Sequence, residues 1–138
     1  MKFRMLLGTF LLIILTACSS TTQTVVTGEV IFYGEGEHWN VSYIYNSEMY
    51  DEKKLNWIEI EFKDFEAVLE DLGNLSIELE SRNGLIKGIV GDMETEIEGN
   101  VVSFLVGTVN QETYEEDEFK MTIKSQDKQE VINLQKKQ

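Results

Sequence analysis

The chain predicts an all-β domain: a single antiparallel β-sandwich with one short helix, with an up-and-down β-barrel as the rival arrangement. Three observations lead there. After Gly28 the dominant hydrophobic period is two, turn-forming residues fall between the alternating runs, and one stretch alone has helical spacing. With 138 residues, 42% hydrophobic, 10% aromatic and 27% charged, the chain has the size of one domain and is too apolar for disorder. It contains no Pro, so no cis-Pro turn shapes it.

In chain order, Trp39, Val41, Tyr43 and Tyr45 alternate with Asn40, Ser42 and Ile44. Ile58, Ile60 and Phe62 alternate with Glu59, Glu61 and Lys63, and Leu75, Ile77 and Leu79 with Ser76, Glu78 and Glu80. Met93 and Ile97 lie opposite Glu94, Glu96 and Glu98; Phe119, Met121 and Ile123 alternate with Lys120, Thr122 and Lys124. Such runs describe strands with one packed and one wet face. Residues 101–109 are apolar on both faces, which predicts a central strand, and a last strand is expected near 130–134. Asn83-Gly84 is the strongest hairpin turn signal, with Gly91-Asp92, Gly99-Asn100 and residues 125–128 as further turns. Phe65, Val68, Leu69 and Leu72 fall at i, i+3, i+4 and i+7 between Asp64 and Gly73, which predicts a helix over 65–72.

The first segment reads as a label. Lys2 and Arg4 precede an apolar run from Met5 to Leu15, followed by Thr16-Ala17-Cys18-Ser19-Ser20. Positive charge, a short apolar core and a small-residue site are the three parts of a secretory signal peptide. About eleven residues at 1.5 Å each span about 17 Å, short of the roughly 30 Å hydrocarbon core, so a permanent span is not expected. The tetrapeptide Leu15-Thr16-Ala17-Cys18 resembles the lipobox of bacterial lipoproteins. That resemblance implies cleavage after Ala17, a diacylglyceryl group on Cys18, and a protein held at the extracytoplasmic face of the cell membrane. Two acyl chains hold stably where one binds reversibly. The competing readings are an ordinary secretory signal that contains a Cys, or a short buried helix. The expected organisation is a signal peptide over 1–17, a lipidated Cys and polar tether over 18–27, and a β-domain over 28–138.

Charge narrows the partners. Twelve basic against 25 acidic residues give −13, and loss of Lys2 and Arg4 with the signal leaves −15. Nucleic acid is excluded, because phosphate contacts need clustered Lys and Arg. Anionic head groups would repel such a domain within about 8–10 Å.

Specific chemistry is sparse. His38 is the single His and has no second nitrogen or thiolate with which to hold a transition metal. His38, Trp39 and Tyr43 offer a candidate ligand surface; the competing expectation packs Trp39 in the core and turns His38 to solvent. Tyr43, Tyr45, Tyr50 and Trp57 extend the set of aromatics that a sugar or peptide could use. The acidic run Glu112-Thr113-Tyr114-Glu115-Glu116-Asp117-Glu118 could collect Ca²⁺ but lacks calcium-loop spacing, and a solvated, self-repelling loop explains it equally well. Glu59/Glu61, Glu78/Glu80 and Glu94/Glu96/Glu98 are expected as exposed ladders, without the cleft that paired catalytic carboxylates need. No nucleophile elbow, phosphate loop or dinucleotide fingerprint is present. No catalytic residue, metal or cofactor is assigned.

Two ends of the β-region carry a further resemblance. Gly34-Glu35-Gly36-Glu37-His38-Trp39-Asn40-Val41-Ser42-Tyr43, and residues 116–123 running to Ile132-Asn133-Leu134, are similar to segments of small uncharacterised lipoproteins of Gram-positive bacteria. This implies an immunoglobulin-like sandwich on a lipid tether and supplies no catalytic residue. The expected function is therefore a non-enzymatic binding or interaction module of the cell envelope, facing a protein, a wall polymer or a cation. An envelope enzyme using exposed carboxylates as acid and base is the alternative.

Overall fold

A computed structural model describes residues 22–64, 66, 72–107 and 112–138. The expected Cys18 and Ala17 sites lie outside these residues. So does most of the helix expected over 65–72, whose last residue, Leu72, opens the 3₁₀ turn Leu72–Asn74.

The architecture is all-β and antiparallel. Among the described residues nine strands are present: β1 (Glu29–Glu35), β2 (Trp39–Asn46), β3 (Asn56–Phe62), β4 (Ser76–Ser81), β5 (Gly84–Ile89), β6 (Thr95–Glu98), β7 (Val101–Val106), β8 (Phe119–Lys124) and β9 (Gln129–Lys136). Helix α1 (Ser47–Lys53) joins β2 to β3. The strands form one sheet in the order β5-β4-β8-β9-β1-β2-β3-β7-β6.

That order requires the sheet to curl. Its two edges, β5 and β6, are consecutive in the chain and separated only by residues 90–94. Six residue steps reach at most about 20 Å, whereas eight interstrand spacings in a flat sheet cover about 38 Å. Ordinary twist of about 20–25° per strand accumulates to roughly 160–200° over eight steps, which turns the far edge back toward the near one. The result is a half-barrel. Tyr43 on β2 and Phe119 on β8 are three strands apart, about 14 Å in a flat sheet, yet their ring centroids are 4.8 Å apart. Phe32 completes this cluster, 4.8 Å from Phe119 and 6.1 Å from Tyr43.

Inward residues alternate as the period predicts. Val41, Ile58, Ile60, Phe104, Leu79, Met121, Ile123 and Leu134 are buried in one core with Trp39 and Phe62. The halves β5-β4-β8-β9 and β1-β2-β3-β7-β6 join where β1 meets β9, through the pairs Phe32↔Lys136 and Tyr33↔Gln135. Gly34 makes this seam possible. A Cβ there would strike the Asn133 carbonyl oxygen and lie 2.7 Å from Ile132 Cγ2 and 2.9 Å from Leu134 Cδ2.

Several expectations are refined. Glu29–Glu35 and Gly84–Ile89 are strands without a clear alternating signal in the sequence. Helix α1 has no fully buried residue, although Tyr50 packs against the core, and its ends are fixed by caps. Asn46 Oδ1 accepts the N–H groups of Glu48 and Met49 at 3.0 and 3.1 Å, and Lys54 closes the helix in the left-handed region at φ 57°. The turn expected at Asn83-Gly84 is instead Arg82-Asn83, because Gly84 already pairs with Ser81. Neither turn residue has a positive φ. Arg82 is held by Asp117 at 3.1 Å and by the Glu112 carbonyl at 3.0 Å, which anchors the turn one residue early. Gly91-Asp92 belongs to the 3₁₀ turn Val90–Asp92 that crosses between the edges. Gly99-Asn100 does close the β6–β7 hairpin, with Gly99 at φ 61°.

Part of the expected tether is attached to the domain. Val26 N–H donates to the Thr113 carbonyl at 3.0 Å, and Glu115 N–H to the Thr24 carbonyl at 2.8 Å. Val26 itself is buried. A free tether therefore ends before Thr24. No described helix is long and apolar enough to cross a membrane.

Candidate functional site

The register of β1, β2, β3, β7 and β6 assembles an outward face that no single strand reveals. Ile31, Ile44, Trp57 and Leu105 pair in succession and form a continuous apolar row across four strands. Leu105 is 39% exposed, and the other three are partly exposed. The next row reads Tyr33, Ser42, Glu59, Ser103, Glu96, and the one beyond it Glu35, Asn40, Glu61, Val101, Glu98. With Glu29 at the start of β1, the outward strand positions of this half carry six glutamates and no Lys or Arg. None of these six takes part in an ion pair among the described residues.

Rows two and three enclose a hollow of about 50 Å³ lined by Tyr33, Asn40, Ser42, Glu59, Glu61 and Val101. Its lining is rich in acceptors. Asn40 Oδ1 is buried there without a hydrogen-bond partner, and Tyr33 donates its hydroxyl to Glu35 at 3.0 Å. Partial burial, reinforced by the Glu35 hydrogen bond and the nearby Glu61 charge, raises the Tyr33 pKa. Lys137 stands at the margin of the hollow, its ammonium 5.1 Å from the Tyr33 ring centroid. Chemically, the hollow suits a cationic hydrogen-bond donor, an ammonium or a guanidinium.

The other half differs. On β4, β5 and β8 the outward charges interleave: Glu78 faces Lys87 at 3.6 Å, Glu80 faces Lys120 at 3.1 Å, and Lys124 stands at the end of its strand. A shallow groove of about 490 Å³ runs over these strands beside Ser76, Glu78, Lys87 and Thr122. Among the outward strand positions, the excess of acid over base thus lies on the β1-β2-β3-β7-β6 half.

The residues marked as a candidate ligand surface do not form one. Trp39 and Tyr43 are each 1% exposed and point into the core, because their positions on β2 alternate inward. His38 stands beside them but is committed to the β1–β2 turn. Glu130 accepts the N–H groups of Glu37 and His38, the latter at 2.9 Å, and its Oε2 lies 2.9 Å from His38 Nδ1. Lys63 holds the same turn from β3, with Nζ 2.7 Å from the Gly36 carbonyl oxygen. Of the aromatics, Trp57 alone belongs to the outward apolar row.

The acidic run 112–118 is likewise not a solvated, self-repelling loop. Each of its carboxylates is engaged. Glu112 accepts from the Tyr114 hydroxyl at 2.6 Å, Glu115 pairs with Lys136 at 3.2 Å, and Glu116 accepts Thr24 N–H at 2.9 Å. Asp117 is buried, pairs with Arg82 and accepts Tyr114 N–H at 2.8 Å, while Glu118 accepts from Gln135 at 2.9 Å. The Thr24 hydrogen bond lowers the Glu116 pKa. Among the described residues, no three His, Cys, Asp or Glu side chains converge where a metal ion would sit.

Comparison with protein-family models, with curated proteins and with solved structures matches none of them to this chain. The face is therefore read from its own chemistry. Sequence reasoning missed it because its members are the minor set of each run; only the register of four strands brings Ile31, Ile44, Trp57 and Leu105 into line.

Proposed function

We propose that the chain is a non-enzymatic binding module of the cell envelope, lipid-anchored through Cys18 after cleavage at Ala17. Its working surface is the outward face of β1-β2-β3-β7-β6. The observation that carries this reading is an apolar row containing Trp57, bordered by six glutamates on strands whose outward positions carry no Lys or Arg. Isolated exposed apolar residues are ordinary, but a contiguous row bordered by one sign of charge defines a partner. That partner is an exported protein segment carrying Lys or Arg beside apolar residues. Its apolar side chains would cover the row while a cation enters the hollow at Asn40, Glu59 and Glu61. The two halves of the sheet, packed face to face around Tyr43 and Phe119, support a sandwich-like description of the scaffold.

The test uses intact cells. A photo-crosslinking residue at Trp57 should capture a basic exported protein, and Glu59→Lys with Glu61→Lys should abolish that capture. The same probe at Thr122, on the other half, should not capture it. Equal crosslinking from both positions would remove the assignment of the face. Mass spectrometry of the membrane fraction should show a diacylated Cys18, and Cys18→Ala should release the protein; an unmodified cytoplasmic protein would end the envelope reading.

A further inference from the structure

The two sheet edges are not equivalent. Edge β6 has four residues, carries Glu96 and Glu98, and follows Glu94. Short length and like charge are standard protections against strand addition. Edge β5 has six residues, no acid, and exposed Leu85 and Ile89 at 45% and 46%.

Hydrogen bonding fixes which β5 groups remain open. Val90 N–H donates to the Leu75 carbonyl at 2.8 Å, continuing the register in which Ile89 faces Ser76. In an antiparallel ladder the bonded pairs alternate, so residues 84, 86 and 88 bond toward β4. The N–H and C=O groups of Leu85, Lys87 and Ile89 therefore point off the sheet. That makes six backbone groups in a row without a strand partner among the described residues.

We propose that β5 pairs with β5 of a second copy of this chain, antiparallel about a two-fold axis through Lys87. A two-fold axis perpendicular to the sheet requires a residue to face itself. With Lys87 at the centre, Leu85 faces Ile89 of the second copy and Ile89 faces its Leu85. All six open groups then form hydrogen bonds, and the two aliphatic pairs stack on one face. The facing lysines repel, but each already lies against its own Glu78, so the row across the junction runs Glu, Lys, Lys, Glu. This is also where two acidic molecules approach with least repulsion, since the outward positions of β4, β5 and β8 balance Glu78 and Glu80 against Lys87, Lys120 and Lys124. The contact is one strand pair, smaller than the roughly 1,000 Å² of a stable interface, so the dimer is weak and concentration-dependent.

Cysteine pairing reads the register directly. In the full chain carrying Cys18→Ser, facing bonded residues have Cα atoms about 5.5 Å apart, within disulfide range. Lys87→Cys should therefore give a covalent dimer under mild oxidation. Leu85→Cys and Ile89→Cys alone should not, their own copies being about 14 Å apart, whereas the two mixed should crosslink. Lys87→Pro should lower the dimer fraction at least tenfold in sedimentation while leaving the fold intact, because the N–H it removes faces away from β4. Moderate NaCl should strengthen the dimer by screening the net charge of −13. A monomer throughout the micromolar range, equal crosslinking at all three positions, or a dimer indifferent to Lys87→Pro would overturn the proposal.

Discussion

Asn56 sits fully buried at the start of β3, and among the described residues neither its amide nitrogen nor its oxygen has a hydrogen-bond partner. An orphaned buried amide costs about 1–3 kcal/mol. Asn56→Leu, similar in volume, should therefore raise stability by about 1–3 kcal/mol in urea denaturation, and an equal loss would show that the amide is satisfied in solution. Tyr43 gives a second single-residue readout. Burial, with smaller contributions from the nearby tyrosines and Asp117, raises its pKa well above 10. The folded form holds the proton while the unfolded form releases it, so its contribution is full below pH 10 and fades as pH rises through the raised value. In a spectrophotometric titration of the five tyrosines, one should ionise only when the protein unfolds, and Tyr43→Phe should remove that step. Trp39 and Tyr43 were legible in the sequence as members of an alternating set. Which face that set would take was not, because a period of two defines two faces without saying which is inward.

At the scale of elements, the seam and the caps make the clearest predictions. Gly34→Val would drive a branched side chain into Asn133, Ile132 and Leu134, so it should cost several kcal/mol or prevent folding. Asn46→Ala removes the acceptor for two α1 amides and should cost about 1 kcal/mol, since the helix has no fully buried residue and is otherwise held through Tyr50. The segment at 24–26 should respond to acid. The lowered Glu116 pKa means that its grip on Thr24 is complete above pH 4.5 and is lost as pH falls through the lowered value. Exchange of the Thr24 amide hydrogen, followed by NMR on acidification, checks this directly. The alternating runs that became β2, β3, β4 and β8 were readable because each carries three or more apolar residues on one side. Strand β5 was not, for Gly84 and Gly88 take inward places that would otherwise show the period. Helix α1 escaped because its information lies in caps rather than in an apolar stripe.

Across the whole molecule, charge is the dominant property and it is unevenly placed. The six outward glutamates on one half repel each other through solvent, each pair weakly, and the sum is relieved by salt. The thermal midpoint should rise from low to moderate NaCl, and CaCl₂ at matched ionic strength should give the same rise. A rise at sub-millimolar Ca²⁺ alone would instead require a specific site by binding linkage. Net acidity was legible from composition. The uneven balance at the outward strand positions was not, because Glu78 and Glu80 resemble Glu59 and Glu61 in the sequence and differ only in which strands lie beside them.

The position of β9 has a consequence in time. Strands β1, β2 and β3 form a local meander, and the β6–β7 hairpin can add to β3 as soon as it is made. The β4–β5 hairpin has no such option, since its only sheet neighbour, β8, lies some thirty to forty residues downstream. The strand that joins the two groups, β9, is made after the other eight. A chain still emerging from its source therefore carries one finished half and one waiting half, and closure depends on β9. Late completion keeps the apolar sides of β4 and β5 uncovered longest, so damage to β8 or β9 would be felt first as aggregation of the growing chain.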